Sequence, residues 1–84
     1  GMVSRMQAEI EREIAGLEAR MQDAYMRASA LLEESAEFGQ RSAQDESEIA
    51  ALEATAETAR MRVNRLRSEQ ALFARVAAMV ESEA

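Results

Sequence analysis

The sequence predicts an all-α protein: an antiparallel two-helix coiled-coil hairpin that self-associates into a four-helix bundle. Three observations carry that expectation. The chain has no proline and little aromatic content, and its commonest residues are strong helix formers. Two long stretches place apolar residues at alternating steps of four and three, the spacing of a heptad seam. Between them, the stretch EESAEFGQRSAQDESE (residues 33–48) gathers helix stop and start signals around the one glycine in the middle third of the chain.

The first helix is expected over about residues 3–38. Its seam runs Val3, Gln7, Ile10, Ile14, Leu17, Met21, Ala24, Ala28, Leu31, Ser35 and Phe38, apolar except at Gln7 and Ser35. Gly39 suits the left-handed residue that ends a helix, so a turn is expected over about 39–42. Ser42 can cap a second helix, with Asp45 three residues on as a shorter relative of the capping-box acid. That helix is expected over about 43–82. Its seam runs Ile49, Leu52, Ala56, Ala59, Val63, Leu66, Gln70, Phe73, Ala77 and Val80, broken only by Gln70. The flanking positions are mainly Glu and Arg, as solvated sites beside a seam should be.

The heptad phase is unbroken through the turn, so one continuous helix is the competing geometry. A buried Asp45 would be costly in that form. Folding the chain at residue 40 instead pairs Leu31 with Ile49, Ala28 with Leu52, Ala24 with Ala56, Met21 with Ala59, Leu17 with Val63 and Ile14 with Leu66. The same fold answers an uneven charge distribution. Residues 1–59 hold thirteen acids against five arginines, whereas residues 60–75 hold five arginines against the single Glu69. Glu11 is expected near Arg67 and Glu18 near Arg60. On the other flank Glu13 is expected to face Glu69, and Arg20 to face Arg62. A parallel dimer of continuous helices would oppose more like charges. Two extended chains pairing about residue 40 would bury the same layers as two hairpins, so a swapped dimer stays open.

At 84 residues the chain is one small domain with a modest core. The absence of cysteine and histidine removes disulfides, thiolate metal sites, cysteine nucleophiles and the commonest general base. No enzyme activity, catalytic residue, metal site or cofactor is expected. No apolar run is long enough to span a membrane and no signal-peptide core is visible, so a cytoplasmic location is expected. Gly1 ahead of Met2 reads as a remnant of tag cleavage. The arginine-rich RMRVNRLR (residues 60–67) is interrupted by the seam residues Val63 and Leu66, and the net charge is −6. Nucleic acid is therefore not an expected partner.

Two candidate sites remain. At the open end of the hairpin, Met2, Val3 and Met6 meet Leu72, Phe73, Val76, Met79 and Val80, which cover more than one helix face. This surface is expected to form a homodimer, or to receive the amphipathic helix of a protein partner, with methionine supplying adaptable contacts. At the other end, Glu33, Glu34, Glu37, Asp45, Glu46 and Glu48 surround the turn, opposed only by Arg41. Acids at the start of helix 2 also favour that helix end on their own.

Seven residues at this tip, LEESAEF (32–38), resemble the Leu-x-Glu-Asn-Ala-Glu-Tyr tip motif of Gre-type transcript-cleavage factors. In that family a coiled-coil arm enters RNA polymerase and offers an Asp and a Glu to a catalytic magnesium. The resemblance implies an accessory factor of a nucleic-acid machine acting through an acidic tip, with Glu34 in the place of the family glutamate. Leu31 stands where the family has its aspartate, and the family's second domain has no counterpart here. The leading expectation is a non-enzymatic adaptor, scaffold or oligomerisation element.

Overall fold

A computed structural model describes residues 1–39 and 42–83, except the side chains of Phe38 and Glu83. Two helices, α1 over Met2–Phe38 and α2 over Ala43–Glu83, hold nearly all of them, and no strand occurs among the described residues. The molecule measures 66 × 16 × 16 Å. One helix of this whole chain would extend about 120 Å at roughly 1.5 Å per residue. The elongated shape therefore fits a helical hairpin, with the two helices packed along each other.

Local chemistry explains both inner helix ends. Gly39 adopts φ 72° and ψ 0°, the left-handed conformation that costs a side-chain-bearing residue about 1 kcal/mol or more. At the start of α2 the Asp45 N–H donates to Ser42 Oγ at 3.0 Å, and the Glu46 N–H donates to the Ser42 carbonyl at 3.0 Å. Asp45 and Glu46 occupy the first turn, where the helix dipole favours negative charge. The turn expected over 39–42 includes Gln40 and Arg41, which lie outside the described residues.

Burial follows the heptad stepping on both helices. Ile10, Ile14, Ala24, Ala28 and Ser35 of α1 are buried, as are Ile49, Ala56, Ala59, Val63 and Leu66 of α2. Every half-buried residue except Asp45 also falls on one of the two seams, from Gln7 and Leu17 to Phe73 and Ala77. Ile10, Ile14, Val63 and Leu66 form the main cluster, joined by Leu17, Met21 and Phe73. Toward the turn the core thins into alanine layers. There the Ser35 hydroxyl is buried without a hydrogen-bond partner among the described residues, a cost on the order of 1–3 kcal/mol. Phe38, expected to close the seam, has its side chain outside the described set.

The ion pairs between the arms differ from those expected. Arg62 Nε donates to Glu13 Oε1 at 3.0 Å, and an Arg67 terminal nitrogen donates to Glu18 Oε1 at 3.2 Å. Glu18 thus takes Arg67 in place of Arg60, and Glu13 takes Arg62 in place of Glu69. Arg60 is held within its own helix, where its Nε donates to Glu57 Oε2 at 2.8 Å. Glu13 avoids a like charge by reaching one heptad along α2, a span two long side chains can bridge. The two bridges lean by equal amounts, one toward the turn and one toward the open end. Gln70, the polar break in the second seam, turns its amide outward to donate to Glu11 Oε1.

Candidate docking face and acidic tip

The two seams divide the hairpin surface into two long sides. One carries Glu11, Glu18 and Tyr25 of α1 beside Arg60 and Arg67 of α2, by their heptad positions. It is crossed by the Glu18–Arg67 bridge and the Glu11–Gln70 bond. The Arg60 guanidinium holds the Glu57 carboxyl below its usual value through their hydrogen bond, and Glu57 in turn raises Arg60. Both side chains are exposed, and the pair lies within α2 away from either candidate site.

The other side is channelled. Among the described residues, open troughs follow one another from the open end toward the middle of the rod. The first lies at the mouth, between Val3 and the α2 residues Phe73, Val76, Ala77, Val80 and Glu81. The second is floored by Ile10, Leu66 and Phe73 and rimmed by Met6, Glu9, Glu13, Arg62 and Glu69. The third passes Leu17, Ala54, Thr55, Thr58 and Ala59 between Arg20 and Arg62. Phe73 lines both of the first two troughs and Arg62 both of the last two.

The open end is where exposed large apolar side chains are most numerous among the described residues. Met2 is 80% exposed, Met79 and Val80 are each 63%, and Leu72 is 54%. Val3, Met6 and Val76 are likewise exposed. Phe73 differs from its neighbours: it is half-buried and packs against the main core cluster. It therefore anchors the patch to the hairpin. Met6 and Val76 flank the seam on the channelled side, and Met2, Leu72 and Met79 fall one turn outward on that side by heptad position. The open-end patch and the channel together make one surface. Tyr25, Met26 and Leu32 are exposed elsewhere on the rod, and Met61 lies beside Arg62 and Arg65 at the edge of the channel.

The third trough is the feature that sequence reasoning missed. Its signal lies in AALEATAETA (residues 50–59), where small residues occupy flanking as well as seam positions. Side chains that short cannot fill the angle between two helices, so a groove is left along them.

At the tip, Glu33, Glu34, Glu37, Glu46 and Glu48 are exposed, and Asp45 is half-buried beside the capped helix start. Among the described residues no group of three or more acidic side chains is placed to hold a metal ion. No helix among them is long and apolar enough to cross a membrane. No family model, curated protein or solved structure matches this chain.

Proposed function

We propose that this chain is a non-enzymatic interaction module: an antiparallel two-helix coiled coil that pairs with a second copy into a four-helix bundle. The observation that carries the reading is the exposed apolar open end, where Met2, Val3, Met6, Leu72, Val76, Met79 and Val80 surround the anchored Phe73. A contiguous patch of this kind is a liability on a lone rod and an asset at an interface. Full burial confined to the heptad seams among the described residues supports the coiled-coil description. The need for a partner follows from size as well. Two helices bury few residues completely, and Leu66 is the one large side chain fully buried among the described residues.

Replacing Phe73 and Val76 with Glu tests this. The expected result is a change from dimer to monomer in light scattering, with helical content retained in circular dichroism. Association unchanged by both substitutions would remove the open end from consideration. The acidic tip has no comparable support, because its carboxylates do not converge. If it were the active element, Glu34→Ala and Glu37→Ala would abolish stimulation of a polymerase while leaving the oligomeric state unaltered.

A further inference from the structure

Charge order along the channelled side specifies how two copies meet, given the self-association proposed above. From the open end inward, this side presents the exposed apolar patch, then Glu9 and Glu69, then Glu13 and Arg65, then Arg62 and Arg20, then the trough of small residues from Ala59 to Ala54. Among the described residues, Glu9, Glu69 and Arg20 form no ion pair within the chain. Arg62 uses its Nε for Glu13 and keeps its terminal nitrogens for other acceptors.

We propose that the occupant of this side is a second copy of the chain, docked end over end about a two-fold axis crossing the rod between Ile14 and Ala15, within one turn of Gly16. Such an axis sets α1 against α1 and α2 against α2, with directions reversed. Glu9 then meets Arg20 of the partner subunit, and Glu69 meets Arg62 of the partner subunit. The register is the same for both: each acid lies as far from the axis as the arginine it meets. At that register Leu72 reaches the partner's Ala59 and Val76 reaches the partner's Thr55. The apolar end of each copy thus fills the trough of the other. The alternative places the axis along the rod with the open ends together, so that α1 faces α2. It stacks Glu13 on Glu69 and Arg20 on Arg62, doubling like charges in both bands.

Two further observations fit the end-over-end arrangement. The open-end patch spans only about 12 Å of rod at roughly 1.5 Å per residue. With a width of 16 Å it covers far less than the ~800 Å² per partner of a stable interface. The overlap proposed here runs about 44 Å, or roughly 700 Å² per copy before side-chain relief. Second, Gly16 sits inside α1, where glycine costs about 1 kcal/mol relative to alanine. A Cβ there would meet nothing within 4 Å in the hairpin. A second α1 crossing beside it would use the missing side chain.

Glu9→Arg, Arg20→Glu and the double variant decide the matter by dilution in analytical ultracentrifugation, with circular dichroism confirming the fold. Each single change is expected to weaken the dimer about tenfold, and the double to restore it, because residues 9 and 20 meet only between copies. Tightening by Glu9→Arg, or no restoration in the double, would overturn the end-over-end geometry while leaving dimerisation standing. A wild-type chain that is monomeric at every concentration would overturn both this inference and the self-association beneath it. The chain has no cysteine, so Met79→Cys gives an independent reading. No interchain disulfide is expected, and efficient cross-linking would place the open ends together.

Discussion

Ser35 and Leu66 occupy the same kind of seam position with opposite consequences. Leu66 is 2% exposed within the main cluster. Leu66→Ala should cost about 2–5 kcal/mol in urea or thermal unfolding, since two helices have little capacity to collapse around the space it leaves. Ser35 is buried with an unpartnered hydroxyl. Ser35→Ala should therefore raise stability by about 1 kcal/mol, measured in the same way, as it removes a desolvated polar group and improves helix propensity. A loss of stability in that variant would mean the hydroxyl is satisfied in solution. Gly39 and Ser42 act through the backbone. One supplies a left-handed residue and the other an acceptor for the Asp45 N–H, and both roles are readable from residue type because each is local.

At the scale of the helices, side chains choose among neighbours of nearly equal energy. An exposed ion pair contributes under about 1 kcal/mol, too little for sequence spacing alone to decide between Arg60 and Arg67 as the partner of Glu18. Glu57 decides it by holding Arg60 from the same helix. The lowered pKa of Glu57 gives this contact a pH signature. Its contribution is fully present above the ordinary carboxylate value and is lost as pH falls through the lowered folded value. In an NMR titration the Glu57 carboxyl should protonate at lower pH than in the Arg60→Ala variant. Coincident titrations would show that the pair does not persist in solution. Gln70 makes a related point. It is legible as a break in the seam, yet only the adjacent Glu11 shows how its amide is accommodated.

For the whole molecule, the packing of the two arms of one chain on each other sets the shape. A Leu17→Cys/Val63→Cys pair should oxidise within one chain at high dilution. Cross-links formed only between chains would identify the swapped dimer of extended helices. The 66 Å long dimension gives small-angle scattering a second handle, since an extended chain would approach about 120 Å. The candidate site was legible in part. Its apolar residues stand out in ALFARVAAMV (residues 71–80) and in Met2, Val3 and Met6. The anchoring role of Phe73 and the continuity of the surface with a channel down one side were not.

The sequence alone determined the helices, their caps and the seam, because backbone propensity and heptad spacing are local and repeat over many residues. Tertiary structure alone decided which charges pair across the arms, and where short side chains leave a trough. It also decided which apolar residues join into one surface. Those outcomes depend on distances between residues remote in the chain, and on energy differences smaller than any local pattern encodes.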